Sequence, residues 1–141
     1  MRYWVIKGRS RESDFRGWLR AGTLDTWSTG RPPRSWLCGD RLFFWEGSPE
    51  LRVVGLGVLT AVSSDERIRD RRFDVRYLTR YLRASPSVTE LRSDRVIRTA
   101  SFVKSGPAGT VFPISNSQAS QLYALLVRDN PKLRTIWPDL E

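Results

Sequence analysis

The order of apolar and polar positions divides the chain into short segments, most with the period of a strand. Residues 3–7 are aromatic and β-branched and predict a strand. Ser13 and Asp14 then offer a helix cap. Phe15, Trp18 and Leu19 follow at i, i+3 and i+4, one helical face, with Gly22 as a stop signal. Residues 23–33 hold Thr, Asp, Ser, Gly and two Pro around Trp27 and predict a loop. A turn at Gly39-Asp40 leads into residues 41–46, where Leu42, Phe43, Phe44 and Trp45 predict a buried strand. After a second turn at 47–50, residues 51–62 form a long β run with Gly55 and Gly57 on one face. That spacing suits a bend or the close approach of another backbone. Residues 63–71 predict a polar loop.

In the second half, Phe73, Val75, Tyr77, Thr79 and Tyr81 alternate with Arg76, Leu78, Arg80 and Leu82, which predicts a strand. Ser87-x-x-Glu90 is a capping box that opens a short helix, and Asp94 is placed to cap a second. Residues 104–109 form a Gly/Pro loop, and 110–114 a short strand that Pro113 ends. Ser115-x-x-Gln118 is another capping box, and Ala119, Leu122, Tyr123 and Leu126 share one face of the helix it starts. Asn130-Pro131 ends that helix, leaving residues 131–141 as a tail pinned by Trp137. No linker or composition break interrupts the series, so residues 1–141 read as one domain. Many strands with scattered short helices predict an α+β fold, a small curved β-barrel with peripheral helices.

Composition narrows the chemistry. Among 141 residues there is no His and one Cys. A Ser-His-Asp or Cys-His pair, an ordinary zinc site and an internal disulfide are therefore excluded. A binding module without catalysis, metal or cofactor is expected, with Cys38 reduced and structural. No apolar run approaches the ~20 residues that span a bilayer, and the apolar N-terminal stretch is too short for a signal peptide. The expected compartment is the cytoplasm, with nucleoid association if the source is bacterial. Basic residues number 24 against 15 acidic, a net charge of +9, and only 3 of the 24 are Lys. A GC-rich genome accounts for Arg over Lys but not for the excess. A domain so positive attracts polyanions.

Few motifs carry specific chemistry. Gly55-x-Gly57 lacks the third Gly of a dinucleotide fingerprint, and residues 106–109 lack the Lys-Ser/Thr end of a phosphate loop. Asp40, Glu46, Asp65 and Glu66 read as surface pairing partners of neighbouring Arg. Trp27 is the informative residue, because it lies among small polar residues with no periodic face to join. Its indole suits stacking on a base, with Ser28 able to hydrogen-bond the base edge. Trp4, Trp18, Phe43, Phe44 and Trp45 read as core, and Trp36 is open. Arg31, Arg34, Arg67, Arg69, Arg71, Arg72 and Arg76 could track phosphates, and Lys104 beside Gly106 could hold another.

Four stretches together resemble a known family. They are residues 3–6 (Tyr-Trp-Val-Ile), 36–45 (Trp-Leu-Cys-Gly-Asp-Arg-Leu-Phe-Phe-Trp), 54–58 (Val-Gly-Leu-Gly-Val) and 109–114 (Gly-Thr-Val-Phe-Pro-Ile). Their order and spacing resemble the EVE domain of the PUA-like superfamily, related to YTH, SRA and ASCH domains. The resemblance implies a small β-barrel that reads a modified base, 5-methylcytosine or a relative, flipped out of DNA into an aromatic cage. Trp27-Ser28-Thr29 stands like the cage Trp of YTH domains. Gly8 and Arg9 fall where those domains end their first strand with Lys-Ser-Asn; the missing Asn points away from N6-methyladenine. Phe73 or Tyr77 would close the cage. Arg31, Arg34, Arg69, Arg71, Arg72 and Lys104 would hold phosphates. An RNA reader and a small ASCH-like ribonuclease are the alternatives.

Overall fold

The structure is a computed structural model that describes residues 1–9, 13–30, 32–62, 71–104 and 110–140, Arg71 through its backbone. Its strands are β1 (Tyr3–Gly8), β2 (Leu24–Thr29), β3 (Arg41–Glu46), β4 (Arg52–Val62), β5 (Arg71–Tyr77) and β6 (Val111–Ile114). Its helices are α1 (Phe15–Trp18), α2 (Val88–Ser93), α3 (Ser101–Lys104) and α4 (Asn116–Asp129), followed by two 3₁₀ turns at Pro131–Thr135 and Pro138–Leu140. The strands form one mixed sheet in the order β2-β5-β4-β3-β1-β6, with β1 and β3 parallel and the other neighbours antiparallel. The class is α+β as expected. The sheet is open, with β2 and β6 as its two edges.

Side chains close what hydrogen bonds leave open. Trp36 packs on Trp4 of β1 at 6.2 Å between ring centroids and on Phe73 of β5 at 4.8 Å. Two strands separate β1 from β5 in the sheet order, so one residue reaches both only because the sheet curls. Register shifts between Phe44 and Trp45 and between Leu59 and Ala61 help it to bend. Alternation then gives the sheet two apolar faces. The inner face carries Trp4, Ile6, Leu42, Phe44, Phe73 and Tyr77. The outer face carries Tyr3, Val5, Phe43 and Trp45 and is covered by α2, α3, α4 and the C-terminal turns. Trp137 is buried against Tyr3, Phe43 and Tyr123, as its tail-pinning role requires.

Gly57 is where β4 and β5 lie too close for a side chain. A Cβ there would stand 2.6 Å from the Phe44 ring and 2.7 Å from the Arg76 carbonyl oxygen. A ring can tilt, but a hydrogen-bonded backbone cannot withdraw without parting the strands. Gly57→Ala is expected to cost about 2–3 kcal/mol and to lower the thermal midpoint by about 5–10 °C. Circular dichroism melting tests this, and an unchanged midpoint would show that the strands separate freely.

Five expectations need correction. Asp40 and Glu46 are buried, not surface partners of Arg: Asp40 accepts from the Trp4 indole and Glu46 from the Tyr81 hydroxyl. Residues 24–29 form β2 and not a loop: Asp25, Trp27 and Thr29 alternate inward, and pairing with β5 outweighs the turn-forming residues. β5 ends at Tyr77, because Thr79 turns its hydroxyl to accept from the Leu56 amide and the chain leaves the ladder. Asp94 accepts from the Val96 and Ile97 amides and so caps a turn, not a helix. Cys38 is exposed, not structural: Gly39, at φ +94°, turns the chain and leaves Cys38 and Leu37 on the surface. Both patterns do open helices: Ser115 and Gln118 form a full capping box, while at α2 only the Ser87 half is made, accepting from the Glu90 amide as the Glu90 carboxylate binds Arg128.

Candidate nucleic-acid interface

The C-terminal ends of the parallel strands β1 and β3 lie under α1. Asp14 caps this single turn by accepting from the Gly17 amide. Phe15 drives the turn onto the sheet. Its ring and the Ser13 hydroxyl fill the space a Cβ of Gly8 would need, at 2.6 and 2.7 Å. Gly8 is therefore a seat for α1. Arg9 follows it on the surface.

The turn places Trp18 against Trp27, edge to face at 5.6 Å and 80°. Both rings are half-buried. Trp27 also stacks near-parallel on Phe44 at 5.8 Å and on Phe73 at 6.3 Å. Its indole Nε1 donates to the Tyr77 hydroxyl at 3.0 Å, and that hydroxyl donates to Asp25 Oδ2 at 2.6 Å. Burial, then the bond to Asp25, pushes the Tyr77 hydroxyl far above the ordinary tyrosine range, so it stays a donor. The relay fixes the indole, nitrogen inward, and the residue is covered only in part. A rigid, partly exposed ring is of the kind on which a base can stack.

The residues expected around Trp27 are only partly brought together. Phe73 and Tyr77 lie beside it, each 1% exposed, so they back the ring from within. Ser28 points to the other face of β2, opposite Arg72 in the ladder, so its hydroxyl does not share the Trp27 surface. Trp18, read from its spacing as core, is the second ring that the core covers only in part. Only the shortness of the helix, with Gly22 so close behind, hints that its face is incompletely covered.

Among the expected phosphate contacts, Arg34, Arg72 and Lys104 are exposed. Lys104 ends α3, on the helical face of the sheet, opposite the Trp27 face. Arg31, Arg67 and Arg69 lie outside the described residues, as does the Arg71 side chain. Elsewhere the acids are already engaged. Arg41 forms a fork with Asp139, both contacts 2.9 Å, and Arg128 binds Glu90 at 2.6 and 2.9 Å. Neither pair is near Trp27 in the fold, so these acids do not neutralise the α1 end. On that end Arg16 and Arg20 are exposed, whereas Arg76 lies with Arg72 and Ser28 on the other face of the β2–β5 ladder. Lys7 is less available: its ammonium lies 4.7 Å from the Phe112 ring centroid, and burial lowers its pKa to about 8.

A separate cleft of about 380 Å³ opens at the other end of β1, between Arg2, Trp4, Pro113 and Asn116. Among the described residues there is no group of metal-ligating side chains, and no helix is long and apolar enough to cross a membrane.

The sequence matches no protein-family model and no curated protein. Solved structures are similar in shape. A Pseudomonas syringae protein superposes with a TM-score of 0.73 at 19% identity, covering 88% of this chain and 99% of its own. A Leishmania major protein gives 0.70 at 18%, covering 95% and 97%. The ASCH protein of Zymomonas mobilis gives 0.56 at 12%, covering 88% and 95%. At such identities the likeness is one of fold: a curved α+β sheet domain of the kind the ASCH protein also has.

Proposed function

We propose that this domain binds nucleic acid without cleaving it, stacking an unpaired or flipped-out base on the exposed part of Trp27, beside Trp18, while exposed arginines hold phosphates. The partly buried indole of Trp27, oriented by the Tyr77–Asp25 relay, carries the reading. A ring meant only for the core would be covered as Phe73 is. The net charge of +9 supports the partner class, and the ASCH-like fold is compatible with it. In its finer, EVE-like form the base is 5-methylcytosine or a relative in DNA. The methyl group adds apolar contact worth about 1–3 kcal/mol. Modified DNA is then favoured by about tenfold to a hundredfold, with little dependence on flanking sequence.

Fluorescence anisotropy with labelled methylated duplex, unmodified duplex and single-stranded RNA of matching sequence tests this across a salt series. The expected result is tightest binding to the methylated duplex, with affinity falling about 10²-fold or more between low and moderate salt. Equal affinity for both duplexes removes the modified-base part. Tightest binding to RNA moves the reading to an RNA-binding domain. RNA fragments appearing on incubation would make the protein a nuclease.

A further inference from the structure

The α1 turn carries, besides Trp18, a cation held by a ring. The guanidinium carbon of Arg16 lies 4.4 Å from the Tyr81 ring centroid. Arg16 has no carboxylate partner among the described residues, and its side chain is exposed. Tyr81 is itself held from behind. Its hydroxyl donates to Oε1 of the buried Glu46 at 2.7 Å and accepts from Arg52 Nη2 at 3.2 Å. Burial and the bond to Glu46 push that hydroxyl above its ordinary range, which keeps it a donor. Arg52 is committed inward: it also donates to the Leu82 carbonyl at 2.6 Å, to Ser85 Oγ at 3.2 Å and to Glu50 at 3.4 Å. The two arginines on Tyr81 thus differ. One is spent on the fold, and the other rests on the ring with its side chain exposed.

We infer that Arg16, seated on Tyr81, is a phosphate-binding residue of the nucleic-acid site, and that the Tyr81 ring positions it. The inference rests on the nucleic-acid reading above. An arginine paired with a carboxylate is neutralised, whereas one stacked on a ring keeps its full charge and its planar fork of donors. The ring also restricts a side chain that would otherwise sample many rotamers, so less is lost when a phosphate arrives. Helical residues advance about 100° each, so Arg16 and Trp18 point to opposite sides of the turn. The guanidinium therefore meets the phosphate of a neighbouring nucleotide, not that of the stacked one.

The test measures affinity against salt for the wild type and four variants, using whichever of the labelled oligonucleotides the wild type binds tightest. Each phosphate contact contributes about 0.7–0.9 to the slope of log affinity on log salt. Arg16→Ala is expected to make the slope shallower by about one such contact and to weaken binding about threefold to tenfold at low salt. Arg16→Lys restores most of the slope. Tyr81→Leu lowers the slope although Arg16 is still present, and Tyr81→Phe, which keeps the ring, retains it. A merely structural role would leave the slope alone. A wild-type slope in Arg16→Ala, a surface change that leaves the fold intact, overturns the inference while the nucleic-acid reading stands. An unchanged slope in Tyr81→Leu removes the positioning part. A wild type that binds no oligonucleotide removes both.

Discussion

Asp40→Ala is expected to lower stability by about 3–4 kcal/mol, a large share of the 5–15 kcal/mol typical of a domain. Asp40 is 2% exposed and accepts three N–H groups. They are the Trp4 indole at 2.9 Å, the Leu37 amide at 2.9 Å and the Arg2 amide at 3.0 Å. It therefore joins the start of β1 to the loop that carries Trp36, the residue bridging the curled sheet. Truncation would strand the buried Trp4 indole N–H without its acceptor. The thermal midpoint should fall by about 10 °C. Asp40→Asn keeps the shape and one acceptor oxygen and should lose roughly half as much.

The same carboxylate sets an acid limit. Burial pushes its pKa up, but the bonds from Trp4, Leu37 and Arg2, helped by the N-terminal charge, outweigh burial and hold it below the ordinary carboxylate value. A carboxylate depressed in the native state stabilises fully above its unfolded pKa. The contribution is lost as pH falls through the lower native value. Urea unfolding of the wild type should weaken below about pH 4, and Asp40→Asn should flatten that limb. Equal acid sensitivity in both proteins would place the acid limit on other carboxylates.

Much of this fold can be read from periodicity. β1, β3 and β4 alternate or run apolar without interruption, and two capping-box patterns mark α2 and α4 unambiguously. β2 was hidden because its turn-forming residues are those of a loop; only its partner β5, arriving more than forty residues later, makes it a strand. Cys38 misled for a similar reason. Small apolar residues are usually buried, but here a positive-φ glycine sets the direction of the chain. The site was legible by half. Trp27 stood out because its neighbours are polar. Phe73 and Tyr77 do lie beside it, yet whether an aromatic is a wall or a backing depends on which ring lies outermost. That order is a property of the curled sheet. Arg16 left no signal at all, since its ring partner lies sixty-five residues away.

Trp27→Ala is expected to weaken nucleic-acid binding by about 1–3 kcal/mol, tenfold to a hundredfold, and to abolish any preference for the methylated duplex. Two features separate this loss from unfolding. Trp27 is only half-buried, so its removal opens less of the core than loss of Phe73 would. The Tyr77 hydroxyl also keeps Asp25 as acceptor when the indole is gone, so no buried donor is stranded. The variant should therefore stay folded where binding is measured, which its circular dichroism spectrum checks. Its salt slope should match the wild type, because the arginines are untouched and only the stacking component is lost. Ser28→Ala supplies the contrast. Its hydroxyl faces the other side of β2, so affinity and preference should both hold. If Ser28→Ala abolishes the preference while Trp27→Ala leaves it, the base is read on the outer face of β2 and β5, beside Arg72, and not on the aromatic platform.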